Sequence, residues 1–405
     1  MKPKILVANP FPIFPAVSGG QRRVFYLFKY IASFFDVVVL CFGDRRENKE
    51  IAPGFRQIIV PKSPMHCQAE IRYLCRLRIH TCAVISLIAH HSPEYALVLS
   101  QQAKDAAIIV LSRPYLLDEV CKLDKSFTLV YDAHNVEYVL FSALLPFGAE
   151  DVLEEIRRVE GGACRNSRLV TACSPQDAQA LSSLYSIHPA KILAVPNGAD
   201  TATLPFISSQ KRAINKQRQK IEQPVALFIG SYHPPNLEAG RVVVETARRQ
   251  PGVQFFLLGS VCEAFKQREL PGNVRLLGIV SEQEKHRILG LADIALNPML
   301  SGSGTNIKML DYMAAGIPVI TTEFGARGIN GIAGEHFLVA GPQSLSAAID
   351  GLLADTAKAE LIARQAFSLV NTRYSWRVIA AGLADKLTAL CPDMDYPAQS
   401  VDYDC

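Results

Sequence analysis

Leu291-Ala-Asp-Ile-Ala-Leu-Asn-Pro-Met-Leu-Ser-Gly-Ser-Gly-Thr-Asn-Ile-Lys-Met-Leu-Asp-Tyr-Met-Ala-Ala-Gly-Ile-Pro-Val-Ile-Thr-Thr322 is the stretch on which the reading of the fold turns. Asp293–Asn297 is short and apolar, as a strand is. Small residues follow, and a helical pattern starts near Thr305. Gly316 stops that helix with Pro318 just beyond, and Ile317–Thr321 reads as the next strand. Gly302 and Gly304 let a backbone approach a ligand closely, and the helix start aims free amides and its positive dipole end at the same place. That is a cradle for a diphosphate. Lys308, one turn in, adds a point charge, and Asp311 is placed to accept two ribose hydroxyls. The plainer alternative is a glycine-rich turn with Lys308 and Asp311 as an exposed ion pair one helical turn apart.

Outward from this stretch the same strand and helix alternation recurs. Val225–Gly230, Val253–Gly259, Val274–Leu277 and His336–Val339 belong to the same series. An earlier series comprises Lys4–Ala8, Asp36–Phe42, Gln57–Val60, Ala106–Ser112, Phe127–Asp132, Arg168–Cys173 and Lys191–Val195. Most runs are apolar throughout, which predicts parallel strands buried on both faces. A chain of 405 residues exceeds one hydrophobic core. The expectation is therefore an α/β protein of two doubly wound, Rossmann-like lobes facing a central cleft, with ligands beyond the carboxyl ends of the strands. The lobes are placed at 1–207 and 224–375. The polar, basic segment 208–223 reads as a linker or exposed helix, 376–391 as a helix packing across the lobes, and 392–405 as a tail.

Composition narrows the class. The 49% hydrophobic and 20% charged content is that of a folded globular chain. Ten cysteines carry no Cys-x-x-Cys pair and no flanking His at ligand spacing, so reduced thiols are expected and no metal site. A net charge of +4 is too mild to imply nucleic acid. The amino terminus has no signal-peptide pattern, and the most apolar tract, Thr81 to Ala89, is too short to cross a bilayer of about 30 Å. The expected location is cytoplasmic. Glu70 to His80 places Arg72, Arg76 and Arg78 among apolar residues, which fits either a solvated helix face or a peripheral contact with the anionic inner face of a membrane.

Together with Ser18-Gly-Gly20, Asp132-Ala-His-Asn-Val-Glu137, Val195-Pro-Asn-Gly-Ala-Asp200, Phe228-Ile-Gly-Ser231 and Phe256-Leu-Leu-Gly259, the stretch from Leu291 to Thr322 resembles the retaining GT-B glycosyltransferases of family 4, the glycosyltransferase group 1 family. The resemblance spans nearly the whole chain. It implies transfer of a sugar from a UDP-, GDP- or ADP-sugar to a saccharide or lipid-linked acceptor, with retention, without cofactor or metal. The chain departs from the family pattern twice. Two glutamates with seven residues between them are replaced by Ser303 and Asp311, and neither an Arg nor a Lys follows Gly230 in the Ser-Tyr-His-Pro-Pro-Asn run, which leaves Lys308 as the substitute cation.

On this resemblance the donor is expected against Gly20, Gly230, Ser231, Ser303, Gly304, Thr305, Asn306, Lys308 and Asp311. His134, at a strand's carboxyl end, faces the transferring sugar or the acceptor hydroxyl; its plain reading is a structural hydrogen-bonded histidine. Gly19 and Gly20 are either a close-approach turn, with Arg22 or Arg23 nearby, or simply a tight turn. Arg113 faces the cleft or forms a structural salt bridge. Asn135 is a cleft residue or a helix cap, and Asn197, before Gly198, shapes the cleft floor or a plain turn. Two rival functions stay open: a non-catalytic nucleotide-sugar-binding or scaffold protein, and a nucleotide-sugar epimerase.

Overall fold

A computed structural model describes residues 2–77, 81–124, 127–302 and 304–391. The expectations for Ser303, for Arg78 to His80 and for the 392–405 tail fall outside the described residues. Two units divide the chain. One holds the described residues up to Ala172, Gln179–Leu193 and those from Ala380 on; the other holds Cys173–Ala178 and Ala194–Ile379.

The first unit is built on β1 (Lys4–Asn9), β2 (Asp36–Gly43), β3 (Glu47–Ala52), β4 (Phe55–Pro61), β5 (Ala106–Ser112), β6 (Thr128–Ala133), β7 (Leu169–Ala172) and β8 (Ile192–Ala194), in the order β3-β4-β2-β1-β5-β6-β7-β8. The neighbouring pairs from β4 to β7 are parallel. Only β3 was not foreseen. It pairs antiparallel with β4, and its charged sequence Glu-Asn-Lys-Glu-Ile-Ala carries no apolar run, because it covers a sheet edge whose residues face solvent. The helices that matter below are α1 (Gly19–Ile31), α2 (Pro64–Leu77), α3 (Glu137–Leu144) and α4 (Glu150–Asn166).

The second unit carries β9 (Val225–Ile229), β10 (Gln254–Leu258), β11 (Val274–Gly278), β12 (Ile294–Asn297), β13 (Val319–Thr321) and β14 (Leu338–Val339), ordered β11-β10-β9-β12-β13-β14 and parallel throughout. Its helices include α5 (Ser209–Arg218), α6 (Pro234–Arg249), α7 (Glu282–Leu289), α8 (Ile307–Ala314) and the start of α9 (Trp376–Thr388). Alternate strand residues serve opposite faces. Val225 and Leu227 pack with Met309, Leu310 and Met313 of α8, whereas Ala226 and Phe228 pack with Val243 and Ala247 of α6. This is why the strands read as unbroken apolar runs.

The 208–223 segment is a helix fastened to the second unit rather than a free linker. Ser208 caps α5, Arg212 bonds the carbonyl of Ala315, and Lys216 pairs with Asp293 at 2.6 Å. The boundary between the units accordingly falls near Leu193 instead of after residue 207, and α9 begins in the second unit and continues in the first.

Each sheet reverses its winding once, at β1/β5 in the first and β9/β12 in the second. At such a point the crossovers leave in opposite directions and open a crevice at the carboxyl ends of the strands. The loops there are Ser18–Gly20 with Arg113, and Gly230–Asn236 with residues 298–306.

Candidate active site

In the first unit, Ser18 accepts a hydrogen bond from the Gln21 amide while the Gln21 side chain reaches back to the Ser18 amide at 2.9 Å. This reciprocal cap puts Gly19 and Gly20 in the first turn of α1. A Cβ on Gly20 would lie 2.6 Å from Arg113 Nη2 and 3.6 Å from His134 Nδ1, so three residues singled out in the sequence meet at one point. Arg113 follows β5 with a φ of 74°, a strained value for a side chain with a Cβ, and its guanidinium stacks 5.1 Å from the Phe11 ring. His134 ends β6, buried, with Nε2 3.1 Å from Ser112 Oγ and 3.2 Å from Asp132 Oδ2.

Burial lowers the His134 pKa, and the hydrogen bond to Asp132 only partly offsets it, so the ring is neutral at pH 7. For Asp132, burial works to raise the pKa, but Arg23 and His134 outweigh it and hold the carboxyl well below the usual range. Arg23 is the structural partner here. It is 1% exposed and bonds Asp132 at 2.6 Å, which corrects the expectation of an arginine available beside the turn. Asn135 donates to Glu137 at 3.3 Å and so serves the start of α3. That start is held by Glu160 of α4, which accepts from the Glu137 and Tyr138 amides at 2.6 and 3.0 Å and from the Tyr185 hydroxyl at 2.7 Å. Burial pushes the Glu160 carboxyl up to about 7.

In the second unit, Gly302 and Gly304 have φ of 125° and 65°, values that favour glycine. Lys308 Nζ donates to Asn236 Oδ1 at 2.6 Å, lies 4.6 Å from the Phe228 ring centre and 3.5 Å from Met299 Sδ. Asn236 in turn donates to Ser231 Oγ at 3.0 Å. The lysine thus joins the first turn of α8 to the first turn of α6, each of which carries free helix amides. No carboxylate pairs with this amine among the described residues, and burial lowers its pKa to about 7. Thr305 is 8% exposed and its hydroxyl has no hydrogen-bond partner there. Asn306 donates to the Gly325 carbonyl at 3.0 Å. The Ile229 amide donates to the Tyr312 hydroxyl at 2.7 Å, which fixes α8 against the end of β9.

Asp311 differs from its expectation. It is 1% exposed and pairs with Lys285 of α7 at 2.8 Å, so it is neither an open ribose acceptor nor an exposed partner of Lys308. The second helical turn of α8 faces the core, and a carboxylate there needs a counter-charge. Asn197 is buried in the second unit, where Gly198 packs against the Tyr374 carbonyl, whereas Gly20, Arg113 and His134 belong to the first. Sequence reasoning missed Asn236, Lys285 and Ser112. Asn236 alone left a signal, since it closes the Pro-Pro-Asn run after β9. Among the described residues no group of three His, Cys, Asp or Glu side chains is placed to hold a metal ion.

Comparison with known proteins identifies the family and the fold. The family model described as Glycosyltransferase Family 4 matches residues 17–203, and that described as Glycosyl transferases group 1 matches residues 223–355. Among curated proteins, a glycogen synthase of Mycobacterium tuberculosis is 25% identical over 242 residues, 57% of this chain and 56% of the relative. A phosphatidyl-myo-inositol mannosyltransferase of Mycolicibacterium smegmatis is 30% identical over 202 residues, 46% of this chain and 49% of the relative. The chain thus spans about half the length of the curated relatives it matches. Among solved structures, a sucrose-phosphate synthase of Thermosynechococcus elongatus superposes with a TM-score of 0.76 at 18% identity, over 97% of this chain and 100% of the other. The HepE protein of Anabaena, solved in complex with UDP, superposes with a TM-score of 0.70 at 16% identity, over 96% and 100%. These likenesses give the fold as GT-B. With two consecutive family models accounting for both units, the chain belongs to the group 1 glycosyl transferases of glycosyltransferase family 4.

Proposed function

We propose that the protein transfers a glycosyl group from a nucleoside-diphosphate sugar, UDP-, GDP- or ADP-linked, to a saccharide or lipid-linked acceptor, with retention and without a metal ion. The observation that carries this reading is the Lys308 amine, enclosed at the first turns of α6 and α8 with no carboxylate to neutralise it. A diphosphate supplies that missing counter-charge. As the bond between the anomeric carbon and the leaving phosphate oxygen breaks, negative charge grows on the phosphate, and the lysine and the helix amides stabilise it there. The acceptor oxygen bonds to the anomeric carbon from the same face, and its proton passes to the departing phosphate. The first unit contributes His134, whose neutral ring lies beside Gly20 and is suited to a sugar hydroxyl rather than to an anion.

Incubation with the three classes of sugar nucleotide tests this. Free nucleoside diphosphate together with a glycosylated product, the anomeric configuration kept, is the expected outcome. An isomerised donor would favour an epimerase, and binding without turnover a scaffold. Activity abolished by EDTA and restored by magnesium would overturn the metal-free mechanism.

A separate observation favours a lipid-linked acceptor at the cytoplasmic face of a membrane. On α2 only His66 and Leu77 are buried, while Met65, Ile71 and Leu74 are 64%, 59% and 47% exposed beside Arg72 and Arg76. Arg76 is paired with Asp151 and donates to the Gly148 carbonyl at 2.8 Å, next to a fully exposed Phe147, which leaves Arg72 as the cation of this face. Apolar side chains among arginines suit shallow insertion into an anionic bilayer. Among the described residues no single helix is long and apolar enough to cross one. Co-sedimentation with phosphatidylglycerol vesicles, reduced by Ile71→Asp with Leu74→Asp, checks this reading.

A further inference from the structure

The donor loop of the second unit touches a cation that no sequence motif singled out. Arg327 lies in Gly325-Ala-Arg-Gly328, beyond β13, and this segment is locked to the loop on both sides. Asn297 and Asn306 each donate to the Gly325 carbonyl at 3.0 Å, and the Gly325 amide donates to Thr322 Oγ1 at 2.9 Å. At the other end Gly328 has a φ of 79°, and a Cβ there would sit 2.3 Å from Thr305 Oγ1. The backbone is therefore pressed against the loop, and Arg327 has one place to go. Its Nη2 donates to the carbonyls of Gly302 and Gly304 at 3.2 and 3.0 Å, and its guanidinium lies 4.5 Å from the Phe324 ring centre.

Three properties set this arginine apart from a surface charge. Among the described residues it has no acidic partner, and its Nε and Nη1 make no hydrogen bond. By donating to the carbonyl oxygens of both Gly302 and Gly304, it is held against the donor loop. It is also docked on the loop that carries Thr305 and leads into α8, in a unit whose Gly230–Asn236 turn offers no Lys or Arg.

We infer that Arg327 is a second cation of the diphosphate subsite, holding the Gly302–Gly304 turn through Nη2 and offering its remaining donors to a phosphate oxygen. This rests on the nucleotide-sugar reading above. It deepens that reading by making recognition of the diphosphate a two-cation device, Lys308 as a point charge and Arg327 as a planar fork.

The test is titration of UDP, GDP and ADP, and of uridine, guanosine and adenosine, into wild type, Arg327→Gln, Arg327→Lys and Lys308→Ala. Arg327→Gln keeps a donor for the two carbonyls and drops the charge. It is expected to weaken the bound diphosphate by about tenfold or more while leaving the matching nucleoside within about twofold. Arg327→Lys, which keeps the charge, is expected to lose less. Equal weakening of diphosphate and nucleoside would make Arg327 a loop latch only and overturn the inference, as would no change in either. Lys308→Ala weakening the diphosphate while both Arg327 variants match wild type would overturn the inference alone. A wild type that binds none of the three diphosphates would overturn the nucleotide-sugar reading itself.

Discussion

The two units present the same device, a glycine-rich turn opening a helix at the winding reversal of a parallel sheet, and treat charge in opposite ways. Around Gly20 the nearby ionic groups are largely matched inside the protein: Arg23 with Asp132, Asp132 with His134, Glu160 with two amides and two tyrosine hydroxyls. Around Gly304 the cations are left without acidic partners: Lys308 meets an amide oxygen and a ring, and Arg327 meets carbonyl oxygens and a ring. Matched charges make a rigid wall, in which Arg113, set over the Phe11 ring, is the cation nearest Gly20. Unmatched cations beside helix amides make a receptor for an anion. Under the proposed function, the contrast suits the second unit to the diphosphate and the first to a neutral sugar or acceptor.

The contrast is broken most strongly through the buried pair. Arg23→Met leaves the Asp132 carboxylate without its principal partner and is expected to cost about 3–5 kcal/mol of stability. Lys308→Met, which removes an enclosed amine that has no acidic partner among the described residues, should leave the denaturation midpoint unchanged or raise it. Chemical denaturation of both variants, followed by circular dichroism, decides whether the two sites differ in this sense. Gly20→Ala probes the wall itself. Its Cβ meets the mobile end of Arg113, so the fold should survive, while the displaced guanidinium is expected to lower turnover by about a hundredfold with diphosphate affinity unchanged. A fall in diphosphate affinity would show that the first turn also holds the anion.

The smallest effect concerns Glu160. Its folded-state pKa is raised from 4.5 to about 7, so the folded chain holds this proton more tightly than the unfolded chain does. The resulting stabilisation is complete below pH about 4.5 and is lost as pH rises through 7. Glu160→Gln should remove a slope on the order of 1 kcal/mol per pH unit from the stability profile between pH 5 and 7. Denaturation midpoints across that range provide the check, and identical slopes in variant and wild type would contradict it.

Much of this architecture was legible in the sequence because parallel strands buried on both faces announce themselves as unbroken apolar runs. Strand β3 was not, since its charged residues record an edge position and nothing in that pattern demands a strand. The candidate site was legible where backbone conformation dictates residue type, at Gly302 and Gly304, where a neighbour's close approach does, at Gly20, and where a polar residue follows an apolar strand, at His134. It was illegible where a role depends on which distant side chain arrives opposite. Asp311 looked like an open ribose acceptor until Lys285, 26 positions away, was found against it. Arg23 looked available until Asp132 closed on it, and Arg327 became visible only once its segment was seen docked on the donor loop.

The claim that the Lys308 amine is the receptor for the diphosphate is tested most directly by calorimetry at pH 8 in two buffers of different ionisation enthalpy. Because burial lowers its pKa to about 7, the free amine is mostly neutral at that pH, and an arriving diphosphate must recharge it. The account predicts uptake of about one proton per UDP, GDP or ADP bound, an affinity that falls as pH rises above 7, and loss of both the uptake and most of the affinity in Lys308→Met. Diphosphate binding without proton uptake, at an affinity that Lys308→Met leaves unchanged, would contradict it.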